Sequence, residues 1–70
     1  MPGPQYAVGQ RVEVLTPKLG GVPDEWLPGT VTDVLPMDNG RWNIEVTRDN
    51  GSPPLWEIVR KRGSECIRTL

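Results

Sequence analysis

The sequence predicts an all-β protein that folds as a small five-stranded barrel. Short runs of β-branched and aromatic residues are separated by glycine, proline and asparagine turn signals, which is typical of antiparallel strands. Apolar and polar residues alternate strictly in one run, and no segment carries a 3.6-residue apolar period long enough for a helix. A closed or nearly closed barrel is favoured because an open sheet of this size would expose its edge strands.

Five strands are predicted, and the third has the clearest pattern. In it, three apolar side chains beginning with Trp42 alternate with polar residues, so these side chains are expected to face the core. In the second strand Val31 and Val34 cannot share a face of a regular strand, which predicts a bulge near Thr32-Asp33. The predicted bounds are Gln10–Thr16, Gly29–Leu35, Arg41–Arg48, Leu55–Val59 and Cys66–Leu70.

The connections between the strands are of two kinds. Residues 16–28 are rich in proline and glycine and are predicted to form one long irregular loop. Asp38-Asn39-Gly40 and Asp49-Asn50-Gly51 are predicted to close tight hairpins. Residues 1–7 contain two prolines and a glycine and are predicted to be a disordered, flexible N-terminal tail. Residues 8–70 then form the barrel.

The composition limits the chemistry that the chain can perform. Its 70 residues include three tryptophans, no histidine and one cysteine, Cys66. The tryptophans are expected to supply a large share of the core, because each ring system buries a large apolar area. One cysteine excludes an internal disulfide framework and a cysteine-based zinc site, and the lack of histidine removes the commonest metal ligand and general base. We therefore expect no metal, no cofactor and no enzyme activity.

Charge is distributed unevenly along the chain. The net charge is −1, divided into −3 for residues 1–40 and +2 for residues 41–70. This asymmetry is interpreted either as a normally solvated surface or as a polarised surface with a functional basic end.

Hydropathy predicts an intracellular protein. No apolar run approaches the roughly 20 residues of a membrane span, and the first residues do not resemble a signal peptide. The chain is therefore predicted to be cytoplasmic or otherwise intracellular, without a membrane partner.

Short motifs are spread over nearly the whole chain after the tail. They are a glycine-led first strand, a Trp-x-Pro-Gly-Thr-Val start to the second, an Asn-Gly turn into the third, and a closing Pro-Leu-Trp-Glu. In these motifs the chain resembles the Agenet and Tudor-like domains, which are five-stranded Src-homology-3-like barrels. The segments that carry the resemblance are Val8–Val14, Glu25–Val31, Asn39–Val46, Pro54–Glu57 and Ile67-Arg68.

The ligand site of these families corresponds to identifiable positions in this chain. Tudor-type domains that read methylated lysine or arginine use an aromatic cage, because ring faces attract the cation. The resemblance places the cage positions at Thr16, Leu27, Val46 and Asp49, and none of these residues is aromatic. It therefore implies the barrel, without the reading of methylated side chains.

The predicted function is a non-catalytic interaction module that binds a protein or peptide segment. The segment is expected to lie in a groove between the 16–28 loop and the turn after the third strand. Trp26 and Trp56 are the predicted anchors, with Leu27 and Asp49 as further ligand-binding residues. Trp26 has the alternative role of a structural lid over one open end of the barrel.

The orientation of Trp56 is left open by the sequence. If Ile58 faces the core, Trp56 faces it too. If Leu55 and Val59 face the core, Trp56 is exposed, because a one-residue slip reverses the faces of a strand. An exposed Trp56 would be a strong candidate for an interface hot spot.

A basic segment gives an alternative function. Candidates for phosphate contacts are Arg60, Lys61 and Arg62, with Arg48 and Arg68 as neighbours in space. A basic patch beside aromatic side chains is typical of a nucleic-acid surface. The alternative prediction is therefore a small barrel that binds nucleic acid.

A second family uses the same barrel as an enzyme. The type II dihydrofolate reductases resemble this chain in length, tail and glycine-led first strand, and they form tetramers around one pore. Their Val-Gln-Ile-Tyr motif corresponds to Leu55–Val59, which lacks the glutamine and the tyrosine, so this alternative is less favoured. A homo-oligomer is also predicted as an option, because a small barrel gains stability by burying an exposed tryptophan in a second copy.

Overall fold

Five antiparallel strands form one curled sheet, which confirms the predicted all-β class and small SH3-like barrel. The strands are β1 Arg11–Thr16, β2 Glu25–Pro36, β3 Trp42–Arg48, β4 Leu55–Val59 and β5 Ile67–Thr69. The computed structural model describes residues 6–18, 20–60 and 66–70. Within these residues the strand order is β4-β3-β2-β1-β5, so each of the first four strands pairs with its neighbour in sequence and β5 returns to β1.

The second strand is longer than the sequence predicts. β2 begins at Glu25 rather than Gly29, so the last four residues of the predicted loop pair with β1 as strand, and residues 17–24 connect the two strands. Pro28 is compatible with this pairing because its carbonyl accepts a hydrogen bond from the Asp49 N–H at 3.0 Å. The proline nitrogen therefore faces the end of β3, and its missing N–H removes no bond from the β1–β2 ladder.

The predicted bulge in β2 is confirmed. Val31 pairs with Val46 and Asp33 pairs with Glu45, so Thr32 is the extra residue between the two pairs. Because the bulge resets the alternation, Val31 and Val34 both reach the interior.

The core is mainly aliphatic, which corrects the expectation that tryptophans supply much of it. Trp42 packs against the buried cluster from its margin, as predicted for its face, while Trp26 is half-buried and Trp56 is exposed. Apart from Tyr6, every residue of the buried cluster is valine or isoleucine. The buried residues are Tyr6, Val12, Val14, Val31, Ile44, Val46, Val59 and Ile67.

The folded unit includes Tyr6, which the sequence placed in the tail. Tyr6 is only 8% exposed, and its hydroxyl donates a hydrogen bond to the Ile67 carbonyl at 3.2 Å. Burial raises the pKa of the Tyr6 hydroxyl. The Tyr6 ring is part of the buried cluster and lies beside Ile67 of β5. The other tail residues, 1–5, lie outside the described part of the chain.

Both predicted hairpin turns are present. Asp38–Gly40 forms a short 3₁₀ turn between β2 and β3, in which Asn39 and Gly40 have φ angles of 63° and 71°. Asparagine and glycine are the residues that adopt this left-handed conformation at least cost. The turn between β3 and β4 contains Gly51 with a φ of 81°.

Candidate functional site

Trp56 is exposed on the outer face of the sheet. Leu55 and Val59 point inward, so the second of the two alternatives for β4 is the one observed. Trp56 and Ile58 are 42% and 46% exposed. They lie on the same face about 7 Å apart along the strand, at 3.3–3.4 Å per residue. Two large apolar side chains are therefore presented to solvent side by side.

A third apolar side chain extends this surface across the sheet. Asn43 pairs with Ile58 on one side and with Leu35 on the other, so Leu35 and Ile58 lie about 10 Å apart, at roughly 4.8 Å per strand. Leu35 is 45% exposed. We call this surface the Trp56 face, and it comprises Leu35, Asn43, Glu45, Trp56 and Ile58.

Carboxylates flank the Trp56 face at the end nearest Trp56. Glu45 is directly opposite Trp56 and also pairs with Asp33. The Thr32 hydroxyl, in the bulge, donates to Glu45 Oε1 at 2.7 Å and orients that carboxylate. At the other end of the face, Arg60 follows β4 and is exposed. The face therefore combines an apolar centre with an acidic end and a basic end.

Trp26 lies elsewhere on the outer surface. It is half-buried opposite Leu15 of β1, and the guanidinium carbon of Arg68 lies 4.0 Å from its ring centroid. Arg68 Nε also donates to Glu13 Oε1 at 2.9 Å. A ring covered in this way by a cation from β5 has one face already occupied.

The basic residues of the nucleic-acid alternative are only partly described. Arg60 is exposed, whereas Arg68 is engaged by Glu13 and Trp26. Lys61 and Arg62 lie outside the described residues. Arg48, the third described arginine named for that function, is buried on the inner face of β3.

Asp49 is held in an ion pair on the outer surface. Its two carboxylate oxygens accept bonds from Arg11 Nη1 and Nη2 at 2.8 and 2.5 Å, and Arg11 Nη1 also donates to Thr30 at 2.8 Å. The hydrogen bonds and charge of Arg11 lower the pKa of Asp49, and the hydrogen bonds and charge of Asp49 raise the pKa of Arg11. This bidentate geometry fixes both side chains across β2.

Leu27 points to the interior at one end of the barrel. It pairs with Val14, and Thr16 of β1 and Leu55 of β4 lie on the same inner face at this end. Arg48 completes the group from β3 and is only 9% exposed. We call this group the Arg48 end, and it comprises Thr16, Leu27, Arg48 and Leu55.

Arg48 is not among the residues predicted to bind a protein segment, although the sequence contains the signal for its inward position. The alternation that places Ile44 and Val46 on the inner face continues to Arg48. An arginine at the next inward position of an apolar strand face is therefore readable from the pattern. Its conformation depends on Pro53 and Thr16, which the alternation does not place.

The predicted ligand residues do not share one groove. Trp26 is far from Trp56. Asp33 lies in the same row across the sheet as Trp56, and Trp26 is seven positions before Asp33 on β2. Leu27 faces inward, and Asp49 is paired on the outer surface. The four residues therefore lie apart: Trp56 is on the Trp56 face, Leu27 is at the Arg48 end, and Trp26 and Asp49 are elsewhere on the outer surface.

Two classes of feature are absent from the described residues. No group of three or more histidine, cysteine, aspartate or glutamate side chains there is arranged to hold a metal ion. Across residues 6–18, 20–60 and 66–70, no helix is long and apolar enough to span a membrane.

Comparison with protein-family models, with curated proteins and with solved structures gave no significant match.

Proposed function

We propose that this protein is a non-catalytic interaction module that binds a protein segment on the Trp56 face. The observation that carries the proposal is the exposure of Trp56 beside Ile58 on β4. Aromatic and aliphatic side chains that cluster at a solvent-exposed surface mark protein interaction sites. The sequence resemblance to Tudor-like and Agenet domains supports the same general class of function.

The charges around the face indicate the chemistry of the ligand. A segment with apolar side chains would cover Trp56, Ile58 and Leu35. A basic residue of the segment would lie beside Glu45 and Asp33, because complementary charges at the rim set register and orientation. The proposed ligand is therefore an extended segment with apolar residues and one flanking lysine or arginine.

The proposal is tested by selecting peptides from a random displayed library with the wild-type protein. The selected peptides are then measured against Trp56→Ser by fluorescence anisotropy. A hot-spot loss of about 2 kcal/mol corresponds to roughly thirty-fold weaker binding. Val22→Ser is the matched control, since Val22 is also an exposed apolar residue but lies outside the Trp56 face, and it should bind like wild type. Equal affinities of Trp56→Ser and wild type would refute the proposed site.

Self-association is a separate outcome of the same variants. Light scattering of wild type and Trp56→Ser shows whether a second copy covers the face. If wild type is an oligomer that dissociates in Trp56→Ser, the partner that covers the Trp56 face is a second copy of this chain rather than a peptide ligand. A tetramer that persists in the variant would instead favour the alternative based on the type II dihydrofolate reductases.

A further inference from the structure

Arg48 places a cation where a core side chain is expected. It occupies the inner face of β3 two residues after Val46, which is fully buried. Gly29 lies opposite Arg48 on β2 and has no side chain to contact it. Because Arg48 is buried, its side chain is enclosed at the end of the barrel rather than extended into solvent.

The hydrogen bonds of Arg48 are incomplete. Nη2 donates to the Pro53 carbonyl at 2.8 Å, whereas Nη1 is 3.5 Å from the Thr16 hydroxyl, at the limit for a hydrogen bond. Nε is buried and has no acceptor. Of the five N–H donors of a guanidinium, two are engaged, one of them weakly. A buried cation in this state is unfavourable unless an anion pairs with it.

The charged neighbours of this end already have partners. Asp49 pairs with Arg11, and Glu25 pairs with Lys18. Among the described residues no carboxylate forms an ion pair with Arg48. The counter-charge for Arg48 is therefore open to a ligand.

We propose that Arg48 binds a carboxylate group of a protein segment at the Arg48 end. A carboxylate accepts two N–H bonds from one guanidinium and carries a single negative charge, which matches the single unpaired cation. Leu27 and Leu55 line the same end and are partly buried, so they exclude water and strengthen the charge-assisted bonds. The weak Thr16 contact is the one that the ligand replaces.

A phosphate group fits this end less well. A phosphate ester carries about −1.5 to −2 charges at neutral pH, so it calls for more than one cation. Two other cations among the described residues, Arg11 and Lys18, are held by their own carboxylates. The observations therefore favour an aspartate or glutamate side chain as the ligand group.

The Arg48 end is separate from the Trp56 face. Arg48 points to the interior, whereas Trp56 points outward on β4. A variant of one residue leaves the other site intact, so failure of either proposal is recognised independently.

The direct test follows the Arg48 Nε–H resonance by ¹H–¹⁵N NMR during titration of the wild-type protein. The probe is N-acetyl-glutamate amide, and the uncharged N-acetyl-glutamine amide is its control. A saturable shift of the Nε–H resonance with the glutamate probe alone is expected. No shift, or equal shifts with both probes, would overturn the proposal. A larger response to inorganic phosphate would overturn the assignment of a carboxylate.

A pair of variants tests whether the glutamate probe binds at Arg48 rather than at another cation. Arg48→Met keeps the unbranched apolar part of the side chain and removes the guanidinium group. Arg41, whose Nε donates to the Asp38 carbonyl at 3.3 Å in the turn between β2 and β3, lies in neither proposed site and supplies the control Arg41→Met. The increase in Tm that the glutamate probe produces should be lost in Arg48→Met and kept in Arg41→Met. Equal increases in all three proteins would identify an adventitious ion only and would overturn the site. If Arg48→Met does not fold, the NMR titration of the wild type decides alone.

Discussion

The guanidinium of Arg68 lies over the ring of Trp26, 4.0 Å from its centroid. Arg68 comes from β5, the last strand, while Trp26 is near the start of β2, so the contact connects two distant parts of the chain across β1. Glu13 of β1 accepts a hydrogen bond from the same guanidinium. The contact therefore links β5 to β2 across β1 on the outer face of the sheet.

The first prediction concerns the stability that this contact contributes. Arg68→Met should lower the free energy of unfolding by about 1 kcal/mol, because an exposed cation–π contact contributes about 0.5–1 kcal/mol and an exposed ion pair about 0.2–1 kcal/mol. Urea denaturation followed by tryptophan fluorescence measures the change. Arg60→Met removes the same charge from an exposed position and should change stability less. Equal losses in both variants would show that net charge, rather than the Trp26 contact, is responsible.

The second prediction contrasts two tryptophans on opposite faces of the sheet. Trp42 packs against the core cluster, so Trp42→Ala should cost about 3 kcal/mol of unfolding free energy. Trp56→Ala should cost less than about 1 kcal/mol, since Trp56 is exposed and surface substitutions are usually within 0.5 kcal/mol. Chemical denaturation of both variants tests the assignment of faces. A reversed order would mean that β4 is rotated relative to the structure.

The third prediction concerns the close approach of β2 and β3 at Gly29. A Cβ at this position would lie 2.7 Å from the Thr47 carbonyl oxygen and 3.1 Å from the Arg48 Cα. Because backbone atoms cannot move aside easily, Gly29→Ala should lose about 2 kcal/mol of stability or more.

Gly21→Ala is the matched control for Gly29. Gly21 has a φ of 76° and open space around the added Cβ, so that variant measures backbone strain alone, at about 1 kcal/mol. Both variants are compared by thermal and urea unfolding. A smaller loss for Gly29→Ala than for Gly21→Ala would contradict the close approach.

The fourth prediction is a pH dependence from the Asp49–Arg11 pair. Arg11 lowers the pKa of Asp49 in the folded protein from the ordinary value of 3.8. The ionised carboxylate therefore contributes stability that is present above the unfolded pKa and is lost as the pH falls through the lower, folded pKa. Both carboxylate and guanidinium are well exposed, so the contribution is modest and salt-sensitive.

Unfolding free energies measured from pH 5 to about pH 2 test this dependence. Asp49→Asn should show a shallower loss of stability with falling pH than wild type. Raising the salt concentration should reduce the difference between the two proteins. Parallel pH profiles at low salt would mean that the pair makes no contribution.

Local signals in the sequence were sufficient for the turns and the bulge. The Asn-Gly pair at Asn39 and the spacing of Val31 and Val34 are properties of a few adjacent residues, and both features are confirmed. The start of β2 was missed because it depends on pairing with β1, which brings Leu27 opposite Val14. Such pairing is non-local and overrides the loop signal of the prolines and glycines.

The candidate surfaces likewise depend on some features that adjacent residues signal and on others that only strand pairing determines. The alternation in β3 contains the signal for the inward position of Arg48, whereas nothing adjacent to Trp56 determines which face of β4 is buried. The cover of Trp26 by Arg68 joins positions 42 residues apart in sequence, which no local pattern predicts. The surfaces therefore emerge only when the register of the strands is known.

The central claim, that the Trp56 face binds a protein segment, is tested most directly by NMR mapping. A peptide selected by the wild-type protein is titrated into ¹⁵N-labelled protein, and backbone and tryptophan indole shifts are followed. The account predicts that the largest changes fall on the Trp56 indole and on Ile58, Glu45 and Leu35, with the Trp26 indole unchanged. Changes concentrated at Trp26, with the Trp56 indole unmoved, would contradict it.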